Sequence, residues 1–387
     1  MSIKPDSKKI KDMKKKFIKS QEKKYSQDSF SELYNTYDTC NYLLDKEIDK
    51  EKNALLKKAI QKVIDQKEYI PENTDYHPYP SINNPNFIYE LSKKAEFYHH
   101  KMLLNQGDLE KKCMQNKFQL GNHQQFLKSF INEETPYKGL LIFHGVGVGK
   151  TCSAISISNS FRDVYKRKKK KIICLVSKNI RPGWLQTIYD PSKNKDQCTG
   201  DTYSHMMKSF EKDGFLQQKG KSRNIKKMIH KYYEFYGYRE FSGMIRRLVR
   251  VGKWKTMEKN DPELELRRKQ VIKEYFSERL LIIDEVHNLR EEDDISHSRE
   301  TIETIDKIIQ YSDDLRLILM SATPMFNKSS EIVWLLNMLL KNDKRPIIEK
   351  DDIFDKDDTI TSSGEKILVN KSRGYISYLR GENPINF

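Results

Sequence analysis

The sequence predicts an α/β fold built on a mostly parallel sheet. Three observations carry that prediction. Four short apolar runs alternate with helix-like segments, a glycine-rich turn ending in Lys-Thr follows the first run, and a carboxylate pair follows the third. The runs are 139–143, 171–176, 280–283 and 315–320. Each is short and nearly continuously apolar, as strands buried on both faces of a parallel sheet are. Helix-like stretches such as 151–161 and 298–311 separate them, which suits crossover connections between parallel strands.

The 387 residues leave room for more than this one sheet. Residues 1–30 are charged and poor in clustered apolar positions, and read as a basic tail, disordered or a frayed helix. Residues 31–117 read as a mostly helical extension, broken by Pro71, Pro78, Pro80 and Pro85. The α/β domain spans 118–345. Within it, 191–275 interrupts the rhythm as a long, basic, aromatic insertion with its own helices. Residues 346–387 read as a linker that starts with an acidic stretch.

Charge and cysteine usage exclude several classes. The net charge of +16 is concentrated: residues 1–24 contribute +7, residues 219–255 contribute +10, and the rest sum to −1. No apolar run approaches the ~20 residues of a membrane span, and the lysine-rich N-terminus lacks the apolar segment of a secretory signal. The five cysteines are scattered, with no CxxC pair. That predicts thiols in a reducing intracellular compartment, with neither a disulfide framework nor a zinc site.

The chemistry lies at the ends of the predicted strands. His144-Gly145-Val146-Gly147-Val148-Gly149-Lys150-Thr151 follows the first strand and opens a helix. Glycines let backbone N–H groups turn inward around phosphate oxygens. Lys150 is placed to reach the β- and γ-phosphates of a nucleotide, and the Thr151 hydroxyl to hold Mg²⁺. His144 stands where the strict phosphate-loop pattern has its first glycine. A bare strand–helix connection also uses glycines, and the strand before and helix after argue against that reading here. Asp284-Glu285-Val286-His287 ends the third strand. Asp284 is placed to bind Mg²⁺ and Glu285 to orient or deprotonate an attacking water. Adjacent carboxylates repel unless a cation sits between them, which favours a metal role over a solvated loop. Ser321-Ala322-Thr323-Pro324 ends the fourth strand, where its hydroxyls can bond the carboxylate–His cluster or simply end the strand in a turn.

These three elements, in this order, resemble the motifs of superfamily 2 helicases: motif I at Gly147–Thr151, a DEVH box at Asp284–His287, motif III at Ser321–Thr323. The resemblance implies a RecA-like P-loop domain that takes ATP and Mg²⁺, with His287, Ser321 and Thr323 coupling hydrolysis to movement. Leu120-Gly121-Asn122-His123-Gln124 resembles the signal upstream of motif I in Swi/Snf-type ATPases, which implies that Gln124 reads adenine. The stretch from Ser177 and Lys178 to Trp184 resembles motif Ia, which touches the nucleic-acid backbone. The phrasing around 135–145 and 374–381 is similar to helicases of large DNA viruses, of the poxvirus early transcription factor small subunit and nucleoside triphosphate phosphohydrolase I type. This implies an intracellular protein, in a virion core or cytoplasmic viral factory.

One departure from the pattern matters. The resemblance implies two RecA-like domains with ATP between them, the second supplying an arginine finger, worth about 10³–10⁵ in rate in other NTPases. The chain ends at Phe387, with room for one such core. The expectation is a fragment, a split-gene half or a degenerate paralogue, weakly active alone and completed by a second chain or a viral transcription complex. Residues 219–255 interleave cations, including Arg246, Arg247 and Arg250, with aromatics such as Tyr233, Phe235 and Phe241. That mixture suits single-stranded DNA or RNA, and equally suits a strand and helix packed into the core with lysines in solvent. The leading functional reading is the ATP-binding half of a helicase or translocase. The alternative is a non-catalytic nucleic-acid-binding or virion protein that keeps an ATP-binding fold.

Overall fold

In the computed structural model, the four apolar runs become strands of one six-stranded, all-parallel sheet with the order β3-β2-β4-β5-β1-β6. The structure describes residues 7–26, 33, 36, 40, 49–66, 78–100, 118–193, 197–206, 221–258, 261–289, 295–325 and 328–380. The strands are β1 Gly139–His144, β2 Ile172–Leu175, β3 Tyr233–Tyr236, β4 Leu280–Ile283, β5 Arg316–Ser321 and β6 Ile376–Leu379. The central strands β2, β4 and β5 are buried at every position, as continuous apolar runs require. Register pairs Leu141 of β1 with Leu319 of β5, and Ile282 of β4 with Ile318 of β5.

Two strands lie where the apolar pattern predicts none. β3 falls inside the stretch read as an insertion, and β6 inside the stretch read as a linker. Both are edge strands, and an edge strand is only partly covered. β3 alternates buried Tyr233 and Phe235 with half-buried Glu234 and Tyr236, while Tyr378 of β6 is exposed. Neither makes the continuous apolar run that marks a buried strand. The Tyr232–Phe241 stretch is therefore a strand followed by a helix, Tyr238–Val249, and its aromatics serve the core. Tyr233, Phe235 and Phe241 are buried, and Tyr233 shares a 2.7 Å hydrogen bond with Ser158.

Helices flank the sheet. Lys150–Arg167 buries Ala154, Ile157, Phe161 and Tyr165 at helical spacing, and Glu331–Asn342 buries Leu335, Leu336, Leu339 and Leu340. Arg316, buried on β5, donates to the carbonyls of Asn132 (3.2 Å) and Thr135 (3.4 Å) and so fastens the loop that feeds β1. The cysteines depart from the all-thiol expectation. Cys152 and Cys198 form a disulfide from the Lys150–Arg167 helix to the turn at 197–200, while Cys40 and Cys174 are buried thiols. The sequence separation of 46 residues hides this proximity. Cys113 lies outside the described residues. Among the described residues no helix is long and apolar enough to cross a membrane.

The chain divides into two compact units, one of residues 88–343 with 374–387 that holds the sheet, the other of residues 1–87 with 344–373. In the second unit the basic tail contains a 19-residue helix, Ser7–Tyr25, where disorder is one sequence expectation. It has no internal Gly or Pro, and it is pinned to the Lys50–Gln66 helix by Lys14–Glu51 (2.7 Å) and Glu22–Lys62 (3.2 Å). The acidic stretch is used in the same way, with Lys57 on Glu349 and Lys58 on Asp352. Thr361 caps the Ser362–Ser372 helix by accepting from the Gly364 N–H (2.9 Å), which presses Gly364 against Ile353. A Cβ at position 364 would collide with the Ile353 backbone. Gly364→Ala is expected to destabilise this unit by about 1–3 kcal/mol, read as a lowered urea midpoint. An unchanged midpoint would show that the contact gives way freely.

Candidate nucleotide-binding site

Parallel strands place their following loops at one edge of the sheet, and ligands of open α/β sheets bind at the carboxyl ends of the strands. β1, β4 and β5 deliver the three motif segments there. The loop after β1 turns through left-handed glycines, Gly147 (φ 87°) and Gly149 (φ 77°), which a side chain would strain. Gly149 is the residue just before the Lys150–Arg167 helix, so the loop's N–H groups lead into a helix N-terminus, a natural anion site. Gly145, Val146, Gly147 and Val148 complete the loop, with Val146 exposed at its tip. Lys150 and Thr151 form the first turn of the helix.

The Asn122–Phe130 helix buckles this loop from one side. Gln124 is buried; its Oε1 accepts from the Gly121 N–H (3.0 Å) and its Nε2 donates to the Gly149 carbonyl (3.2 Å). A Cβ at Gly149 would stand 2.5 Å from that Nε2, so a side chain there would displace the Gln124 amide from the loop as well as strain φ. His123 Nε2 lies 3.2 Å from the Val148 carbonyl. His144, at the loop's first position, is fully buried; its Nε2 lies 2.8 Å from Ser377 Oγ of β6, and its Nδ1 has no hydrogen-bond partner. Burial, with the His123 ring and the Lys150 ammonium nearby, pushes the His144 pKa down to about 3.

The turn after β4 brings the carboxylates to the loop. Lys150 Nζ pairs with Glu285 Oε1 at 2.8 Å. Glu285 Oε2 lies 3.4 Å from His287 Nδ1, and that nitrogen lies 2.8 Å from Ser321 Oγ at the end of β5. Ser321 Oγ also accepts from the Thr323 N–H (3.0 Å), which leaves its own hydrogen free to bond His287. Two hydrogen-bonded groups therefore stand side by side, Lys150–Glu285 and His287–Ser321–Thr323, with Glu285 Oε2 buried and without a hydrogen-bond partner beside the His287 ring. Thr323 enters by its backbone, and its side chain is exposed. Glu285 sits at φ 50°, a left-handed conformation that costs a non-glycine residue about 1–2 kcal/mol. The Tyr238 hydroxyl meets this turn, donating to the Asp284 carbonyl and lying 3.0 Å from that of Glu285.

Asp284 is buried, with Trp184 Nε1 donating to its Oδ2 at 2.8 Å. Burial pushes the Asp284 carboxyl up, and the Trp184 N–H partly offsets it. Its Oδ1 is buried without a hydrogen-bond partner, an oxygen that a cation would satisfy. Among the described residues no group of three or more His, Cys, Asp or Glu could hold a metal alone. The donor set fits Mg²⁺, which takes one or two protein oxygens and completes its shell with substrate phosphates and water.

The nucleic-acid candidates fare unevenly. Arg246 is exposed and pairs with Glu300, and Arg250 donates to the carbonyls of Lys255 (3.2 Å) and Met257 (2.9 Å), which ties down the local fold. Lys178 and Arg247 are exposed. Sequence reasoning singles out neither His123 nor Tyr238 for a role at the site, and takes Trp184 only as the end of a motif. Their contacts span 25 to 100 residues, and no local signal marks them.

Comparisons with known proteins place the chain in a family. Residues 92–326, well over half the chain, match the family described as type III restriction enzyme, res subunit (ResIII). A candidate ATP-dependent RNA helicase of Acanthamoeba polyphaga mimivirus is 33% identical over 335 residues, covering 80% of this chain and 28% of the relative. A second from the same virus is 29% identical over 321 residues, covering 80% of this chain and 49% of the relative. An early transcription factor large subunit homolog of African swine fever virus is 24% identical over 319 residues, covering 68% and 28%. The chain thus spans between about a quarter and a half of the length of these relatives. With the loop, the DEVH turn and the Ser-Ala-Thr turn joined at one sheet edge, and the family match running through all three, this chain belongs to the ResIII family of superfamily 2 helicases.

Proposed function

We propose that this chain is the ATP-binding half of an ATP-dependent helicase or nucleic-acid translocase that works in viral nucleic-acid handling, with transcription the favoured setting. The observation that carries the reading is the 2.8 Å Lys150–Glu285 contact, which places a phosphate-binding cation against a candidate general base. Phosphate oxygens compete with Glu285 for the Lys150 ammonium, so nucleotide binding frees the Glu285 carboxylate to orient water or take its proton. Thr151 and Asp284 would hold Mg²⁺, which when bound neutralises charge on the β- and γ-phosphates. The Gln124 amide holds the loop through Gly149, and adenine reading is a further role proposed for it. His287 and Ser321 would report the state of Glu285 to the end of β5. The exposed Lys178 supports a backbone contact with DNA or RNA. The viral helicase relatives support the nucleic-acid substrate, and the African swine fever virus relative supports the transcription setting and a larger complex as partner.

The test is nucleotide binding and turnover. The chain is expected to bind Mg·ATP, and Lys150→Ala to lose at least tenfold in affinity as the phosphate-binding charge disappears. ATPase on single-stranded DNA and RNA then separates this reading from a non-catalytic binder. Equal ATP affinity in the wild type and Lys150→Ala would overturn the assignment of the loop.

A further inference from the structure

Two side chains from different elements converge on the Asp284–Glu285 turn, and the motifs account for neither contact. Trp184, fully buried in the Arg181–Ile188 helix, donates from Nε1 to Asp284 Oδ2 at 2.8 Å. Tyr238, first residue of the Tyr238–Val249 helix, places its hydroxyl on the backbone carbonyls of Asp284 and Glu285. The two helices are tied together beside the turn by Arg181–Glu240 at 3.3 Å, and Glu240 also accepts from the Gly237 N–H at 3.2 Å. One contact holds a carboxylate oxygen and the other holds the left-handed backbone beneath it.

We propose that Trp184 and Tyr238 form a two-point clamp on the Asp284–Glu285 turn, and that this clamp sets how readily the site takes Mg²⁺ together with a nucleotide. The inference rests on the ATP-binding reading above. With Oδ2 engaged by the indole N–H, the Asp284 carboxylate cannot swing, and its unpartnered Oδ1 stays presented to a cation. Outer partners of metal-binding groups act in this way, and their loss usually costs about 10–100-fold in metal affinity or activity. Tyr238 contributes by holding the two carbonyls of the turn, where Glu285 sits at φ 50°. Both are positioning residues.

The test titrates MgCl2 into the full chain with β,γ-imido ATP, alongside nucleotide titrations in EDTA. Trp184→Phe keeps the apolar ring and removes the N–H. It is expected to raise the Mg²⁺ concentration for half-maximal tightening of nucleotide binding about tenfold, while affinity in EDTA stays put and saturating Mg²⁺ restores the deficit. Tyr238→Phe is expected to shift the same half-saturation, and the double variant to fall short of the product of the two, because both act on one turn. A merely structural role would lower the urea midpoint without moving the Mg²⁺ half-saturation. Wild-type Mg²⁺ dependence in both single variants overturns the clamp. Loss of nucleotide binding in Lys150→Ala, measured in parallel, shows that the site reading stands whichever way the clamp result falls; retained binding there overturns both.

Discussion

Glu285→Gln is expected to slow ATP hydrolysis by about 10²–10⁴-fold, the range that a positioned general base contributes, while ATP still binds. The carboxylate lies between Lys150 (2.8 Å) and His287 (3.4 Å), at the end of a strand and one residue from a buried Asp284. Gln has the same shape but cannot accept a proton. It also leaves Lys150 without a charged partner, so the ammonium is more available to phosphate, and Mg·ATP affinity should hold or tighten. Single-turnover hydrolysis with protein in excess measures the chemical step even where turnover is low, and a nucleotide titration gives the affinity. A rate loss under about threefold would remove Glu285 from the chemistry. A loss of binding as large as that of Lys150→Ala would mean the side chain supports the loop and does not act on water.

The second large effect concerns His144 and acid. Its folded pKa is about 3, well below the ordinary histidine value of about 6.5. The sign follows directly. Above pH 6.5 both folded and unfolded chains hold a neutral ring. Between pH 6.5 and about 3 the unfolded chain takes a proton that the folded chain refuses, so stability falls as pH falls. By pH 5 this one site is expected to cost about 2 kcal/mol relative to pH 7. His144→Gln keeps a polar group, able to donate or accept, where Nε2 meets Ser377 (2.8 Å), and removes the titration. The difference in urea stability between pH 7 and pH 5 should therefore be smaller in the variant by about 2 kcal/mol. Identical pH slopes in the two proteins would show that the ring is not held neutral.

The core and the candidate site were legible because each is written locally. Continuous apolar runs at 139–143 and 280–283, too short for helices, suit strands buried on two faces, and the turn from Gly145 to Thr151 declares its glycines and lysine in seven consecutive residues. Chain order put Asp284, Glu285, His287 and Ser321 at strand ends, and the sheet order made those two strands neighbours. The basic insert was less legible. A window of cations and aromatics reads the same whether the rings stack on bases or pack on a helix; the Ser158–Tyr233 hydrogen bond and the buried Phe241 decide for packing.

By itself, then, the sequence determined the parallel α/β core, the glycine loop, the carboxylate turn and the helicase resemblance, because periodicity and short motifs act over a few residues. Only the tertiary structure decided the rest. It made edge strands of Tyr233–Tyr236 and Ile376–Leu379, whose half exposure blurs the apolar signal. It paired Cys152 with Cys198, gave Arg246 and Arg250 structural partners, and set Trp184 and Tyr238 around Asp284. Those contacts join residues that the chain keeps apart, and their energy exists only once the sheet has brought them within hydrogen-bond distance.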